Sequence, residues 1–124
     1  MSDRSLVIAA SLCLLIGVGA GAFGAHGLKR ILSADMMQVW HTAVLYQLVH
    51  GLGMLAIAAL GARFGSPLLD WAGGLMLAGI VLFSGSLYVL ALSGTKWLGA
   101  ITPLGGTAFI IAWARVALAA WRHA

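Results

Sequence analysis

Four long apolar runs, separated by short polar stretches, dominate the chain. They extend from about Leu6 to Ala25, Val39 to Ala62, Leu68 to Leu92 and Trp97 to Trp121. A helix needs about 20 apolar residues to cross a hydrocarbon core, and each run supplies that length. Lipid offers the backbone no hydrogen-bonding partners, so helix is the default conformation for such runs. The alternation that marks a transmembrane strand is missing. The pattern predicts an all-α, integral membrane four-helix bundle, one domain over residues 1–124.

The polar breaks carry helix punctuation. Ser33 and Asp35 suit the start of the second helix, as a capping acceptor and a negative charge in the first turn. Ser66-Pro67, with Asp70 behind it, repeats that signal for the third helix. Thr102-Pro103 falls inside the fourth run. Either that helix kinks there, or Trp97 to Ile101 is an interfacial lead-in and the membrane helix begins at Pro103. The loops around Arg63-Phe64-Gly65 and Ser93-Gly94-Thr95-Lys96 are short and imply antiparallel neighbours. The longer first connection, Gly27 to Gln38, sets Lys29 and Arg30 beside Leu28, Ile31 and Leu32, a pattern suited to an amphipathic turn at the interface.

The first run, with Arg4 ahead of it and small residues behind, has the outline of a secretory signal. At about 20 residues it exceeds the 7 to 15 of a signal core, and it is expected to stay as the first span.

Composition agrees with a lipid environment. Hydrophobic residues make up 62% of the chain and charged residues 8%, against roughly 25% charged in a soluble domain. The net charge of +4 sits mostly at the ends of the apolar runs, where it serves topology and lipid headgroups. No basic face for nucleic acid is formed. Arg4, Arg63 and Arg122, with Arg115 if it snorkels outward, fall on the side of the termini, and Lys29, Arg30 and Lys96 on the other. Four against three favours cytoplasmic termini by one charge. Trp40, Trp71, Trp97 and Trp121 lie near span ends, as interfacial belts do. The single cysteine, Cys13, can form no internal disulfide and suits a buried small hydrophobe.

Glycine supplies a second pattern. Gly17 and Gly21 form a small-x-x-x-small pair, extended along one face by Gly24. Such a face lets a neighbouring backbone approach and gain van der Waals contact, the main attraction between helices in lipid. Gly73, Gly74, Gly79, Gly105 and Gly106 offer similar flat patches. The contact they serve lies within one chain or between copies.

Embedded polar groups are the remaining candidates for chemistry. Thr42, Tyr46 and His50 recur at a spacing of four and share about 80° of helix arc. Gln47 borders this stripe, and His41 points away from it. The third span adds Ser84, Ser86 and Tyr88, and the fourth Thr102 and Thr107. On a functional reading, His50, Tyr46 and Ser84 converge on a polar pocket, with His26 near one mouth. On a structural reading, the same groups hydrogen-bond between helices and fix their register. His41 and His50 rise about 13.5 Å apart on one helix and cannot ligate one haem iron. With no acidic residue inside a span except Asp70 at an edge, no metal or other cofactor is expected. A nucleophile-base-acid set is also missing, so no catalytic residue is assigned.

Several segments carry a family likeness: Gly24-Ala25-His26-Gly27-Leu28; Thr42-Ala43-Val44 with Tyr46 and His50; Phe83-Ser84-Gly85-Ser86-Leu87-Tyr88; and Trp97-Leu98-Gly99-Ala100-Ile101-Thr102-Pro103-Leu104-Gly105-Gly106. They resemble the small membrane proteins grouped as domain of unknown function 423, which include the transmembrane protein 256 type of eukaryotes. The resemblance covers almost the whole chain and implies a multi-pass protein of the bacterial inner (plasma) membrane. It implies no activity. His41 stands where the resemblance leads one to expect glutamine.

Two functions fit the sequence. One is a non-enzymatic structural or accessory unit, assembling with itself or with a larger membrane complex through glycine-rich faces and otherwise contacting lipid. The other is a carrier of a small solute, ion or lipid, built on the cluster around His50.

Overall fold

The computed structural model describes residues 1–123 and is built from four long helices. Helix α1 spans Asp3–His26 and α2 spans Ala34–Phe64. Helix α3 covers Pro67–Ser93, with one π turn at Ile80–Ser84. Helix α4 covers Thr102–Arg122. All four are long and apolar enough to cross a membrane.

The ends are set by the residues that punctuate the sequence. Ser2 and Ser33 accept from the backbone N–H groups of Ser5 and Met36 at 3.1 and 3.2 Å, and Ser66 accepts from Leu68 at 3.2 Å. Each cap satisfies a donor that the first helical turn leaves unpaired. Gly65 and Gly94 close α2 and α3 at φ of 51° and 71°, the left-handed region that favours glycine. Because Ser33 caps it, α2 starts five residues before its apolar run, at Ala34 rather than Val39. The open question at Thr102-Pro103 resolves as a lead-in followed by a helix. Lys96–Ala100 forms a 3-10 segment, and α4 begins at Thr102 with proline in its first turn. In the first connection a 3-10 turn over Leu28–Arg30 buries Leu28 and leaves Lys29 and Arg30 exposed.

Helix α2 is the centre of the bundle. It packs along α1 on one side and along α3 on the other, and α4 lies mainly against α3. The larger apolar core gathers Leu6 and Ala10 of α1, Met54 and Ile57 of α2, Met76 and Ile80 of α3, and Phe109 and Ala112 of α4. A smaller core near the first connection joins Leu28, Trp40, Val44 and Ala91. Large apolar side chains also cover the outside, among them Leu15, Val18, Val81 and Ile110. A surface of that kind is stable against hydrocarbon and not against water.

The glycine face of α1 is used inside the chain. A Cβ on Gly17, Gly21 or Gly24 would meet Leu48, Val44 or Trp40 of α2, at 2.8, 3.3 and 2.5 Å. As residue numbers rise on α1 they fall on α2, as an antiparallel pair requires. Between α3 and α4, a Cβ on Gly79 would strike the Phe109 ring, and one on Gly105 the backbone of Phe83. Gly73 receives Leu6, whereas Gly74 faces open space. Assembly of copies through Gly21 is therefore corrected: Val44 of the same chain already occupies that face.

Candidate functional site

The polar side chains of the spans form two separate groups. The first lies between α1, α2 and α3, towards the first connection. Gln47, buried on α2, donates through Nε2 to the Cys13 carbonyl of α1 at 2.8 Å and accepts the Tyr88 hydroxyl of α3 at 2.6 Å. One amide thus ties three helices. Tyr88 lies against Trp40 with ring centroids 4.6 Å apart, and Trp40 Nε1 donates to the Ala20 carbonyl at 2.9 Å. Ser84, fully buried in the π turn, donates to the Ala43 carbonyl at 2.7 Å. Ser86 and Thr102 join α3 to the start of α4 at 2.7 Å. Each of these bonds gives a buried polar group its partner, which hydrocarbon cannot do.

The π turn has a role in this arrangement. Its wider i→i+5 turn adds a residue and shifts the phase of the helix. Ser84 meets α2 while its neighbour Phe83 lies under Gly105 of α4.

The second group is aromatic and lies between α2, α3 and α4, with His50 and Phe109 buried and Tyr46 and Trp113 exposed at its edge. His50 stacks on Phe109 with centroids 3.6 Å apart, and Trp113 lies 5.9 Å away. Tyr46 lies on Phe83 at 4.3 Å and runs parallel to the His50 ring at 5.8 Å. His50 Nδ1 sits 2.8 Å from the Tyr46 carbonyl. A carbonyl only accepts, so Nδ1 carries the proton and Nε2 of the neutral ring is a bare acceptor. With Leu45 and Val49, Tyr46 and His50 line an open groove of about 280 Å³.

Several expectations are corrected by this geometry. His50, Tyr46 and Ser84 do not share a pocket: Ser84 is spent on Ala43, Tyr46 is 37% exposed, and His50 bonds its own helix. His26 is exposed in the last turn of α1, far along the bundle from mid-span His50. Thr42 bonds back to Gln38 within α2, and exposed Thr107 does the same to Pro103. Tyr88 belongs to the Gln47 group. Trp40 is buried against Gly24 instead of lying in an interfacial belt, while Trp71, Trp97 and Trp121 are exposed near span ends. Cys13 is only partly buried, at the edge of the larger core. Arg115 does reach towards the termini, where Nε donates to the Leu68 carbonyl in the first turn of α3 at 3.1 Å.

Sequence reasoning placed Gln47 at the border of a stripe and missed it as the hub. The signal was present: Trp40, Ala43, Gln47, Gly51 and Met54 recur at helical spacing on the face that α2 buries.

The family model for the protein of unknown function DUF423 matches residues 20–106. The chain belongs to this family. It is 48% identical to the UPF0382 membrane protein YwdK of Bacillus subtilis, over 97% of this chain and 98% of that protein. It is likewise 48% identical to a UPF0382 membrane protein of Staphylococcus epidermidis, over 98% of each, and 49% identical to one of Staphylococcus haemolyticus, over 89% of each. No solved structure matches the chain. As a member of this family the chain is a membrane protein, in agreement with its four apolar helices.

Proposed function

We propose that the chain is a non-enzymatic structural or accessory unit of the bacterial inner membrane, acting through helix contacts with other membrane proteins or with further copies of itself. The observation that carries this reading is where the buried polar groups go. Gln47, Tyr88, Ser84, Ser86 and Trp40 are each bonded to a neighbouring helix. They favour one packing of the bundle and share no polar cavity for a solute among the described residues, which weighs against a carrier built around His50. The charge balance of four against three favours cytoplasmic termini by a single residue.

The test is extraction from bacterial membranes in mild detergent, followed by native electrophoresis and cross-linking. Migration as an oligomer or a larger complex is the expected result. A monomer that drives solute flux when reconstituted alone into vesicles would overturn the proposal.

A further inference from the structure

Helix α2 presents one face to lipid along its length. Leu45, Val49, Leu52, Ala56 and Ala59 are exposed there, alternating at four and three residues like the seam of a coiled coil. Beside this seam, at mid-span, exposed Tyr46 and buried His50 each carry a polar tip with no partner among the described residues. The Tyr46 hydroxyl is a donor, and Nε2 of His50 is an acceptor because Nδ1 is committed to the Tyr46 carbonyl. No buried side-chain nitrogen or oxygen lacks a partner among the described residues, so Nε2 opens onto the groove it lines with Leu45, Tyr46 and Val49. An unpaired acceptor at the centre of a bilayer is unfavourable, and a donor that covers it gains accordingly.

We infer that the occupant is a second copy of this chain, inverted in the membrane, whose Tyr46 hydroxyl donates to His50 Nε2 while its own His50 receives Tyr46. A donor and an acceptor on one patch are self-complementary under a two-fold axis, the commonest symmetry of dimers. The depth of the two tips selects the direction of that axis. Tyr46 and His50 are about 6 Å apart along the helix, at 1.5 Å per residue. In a parallel pair that difference in depth persists, and the tyrosine of one copy lies about 6 Å from the level of the partner's histidine. In an antiparallel pair the axis passes near residue 48, and each Tyr46 comes level with the partner's His50. The same axis brings Leu45 within one residue of the level of the partner's Leu52. Helix α2 runs from Ala34 to Phe64, so its midpoint is residue 49, within one residue of this axis. Two inverted copies therefore sit at the same depth.

The charges permit the inversion. Arg115 turns towards the termini side, which leaves Arg4, Arg63, Arg115 and Arg122 facing Lys29, Arg30 and Lys96 across the membrane. A bias of one cation lets the chain insert both ways. This inference rests on the accessory-unit reading and names its partner.

The experiment uses the full chain with Cys13→Ser. Two differently tagged copies, one Leu45→Cys and the other Leu52→Cys, are co-expressed and oxidised in native membranes. The expected product is the mixed 45–52 disulfide in excess of either homodimer. Predominant 45–45 and 52–52 products, the mark of a parallel pair, would overturn the inference. So would migration as a complex without any of the three products, which leaves the accessory-unit reading standing. A monomer in membranes, with or without lipid in the groove, sinks both. Tyr46→Phe keeps the ring on Phe83 and removes the donor, and should weaken dimerisation about eightfold, the effect of two membrane hydrogen bonds. No change would remove the reciprocal bonds from the proposal. Ser2→Cys, in the Cys13→Ser background, should be labelled by an impermeant maleimide in about half the chains of right-side-out vesicles. Complete labelling or none would show a single orientation and refute the inverted pair.

Discussion

Adding single methyl groups along α1 measures how closely the glycine face fits α2. Gly19, Gly21 and Gly24 lie within two turns of the same helix but meet different surroundings. A Cβ on Gly19 would touch nothing within 4 Å, one on Gly21 would lie 3.3 Å from the Val44 side chain, and one on Gly24 would come within 2.5 Å of Trp40 Nε1. Trp40 has little room to retreat. It is buried, its Nε1 donates to the Ala20 carbonyl at 2.9 Å, and its ring lies against Tyr88. Gly24→Ala must therefore displace the indole and stretch or break that bond. Overpacking of a fitted core costs about 1–3 kcal/mol, and an interhelical hydrogen bond in a membrane about 0.6 kcal/mol on average. Together they predict a loss of about 2–3 kcal/mol. Gly21→Ala asks Val44 to give by a few tenths of an ångström and should cost about 1 kcal/mol or less. Gly19→Ala should be neutral or slightly stabilising, since alanine is the better helix former. The assay is reversible unfolding in mixed micelles by titration with a denaturing detergent, followed by tryptophan fluorescence. The reasoning fails if Gly24→Ala is as stable as Gly19→Ala, or if the three variants lose stability in any other order.

Three further perturbations follow from the contacts. Gln47→Leu leaves the Tyr88 hydroxyl and the Cys13 carbonyl without partners and should cost about 1–3 kcal/mol; adding Tyr88→Phe should recover part of that loss, and strictly additive costs in the double variant would show that the Gln47–Tyr88 bond is energetically silent. Gly105→Ala should destabilise more than Gly106→Ala in the same micelle titration, because a Cβ at 105 meets the Phe83 backbone, which cannot rotate away, while one at 106 approaches the ring only to 3.8 Å; equal losses would contradict the close α3–α4 approach. Deleting Val81, exposed within the π turn, should convert it to α-helix and preserve the register of both flanks, whereas deleting Val89 from the regular helix should rotate everything beyond it by about 100°. Equal yields of folded protein from the two deletions would argue against the π turn as a one-residue insertion.

The fold was legible in the sequence wherever a local physical requirement acts alone. Twenty apolar residues in a row meet one constraint, the thickness of the hydrocarbon core, and all four runs became helices. Ser33 and Ser66 cap because a first turn always has donors to satisfy. Gly17, Gly21 and Gly24 marked a packing face because the absence of side chains on one stripe is visible without knowing the neighbour. What the stripe could not reveal was the identity of that neighbour. Val44 and Trp40 fill the face from within the chain, and only the tertiary path of α2 decides that.

The polar groups were misjudged for a different reason, which bears on what they do. A helical wheel compares side chains with one another, yet most of the partners here are backbone carbonyls: Cys13 for Gln47, Ala43 for Ser84, Ala20 for Trp40, Tyr46 for His50. Carbonyls have no sequence signature, so three hydroxyl and imidazole groups on neighbouring spans gave the outline of a pocket although Ser84 was already spent on Ala43 and His50 Nδ1 on Tyr46. A helical carbonyl can accept a second bond through its other lone pair, which lets a polar residue lock two helices without a dedicated polar partner. Of the candidate cluster, Ser84 is closed off in this way, and Tyr88 by the side-chain amide of Gln47. His50 differs because its bond runs along its own helix, and among the described residues its second nitrogen and the neighbouring Tyr46 hydroxyl have no partner. The free groups of this bundle are therefore directed outward, where another membrane-embedded surface can meet them.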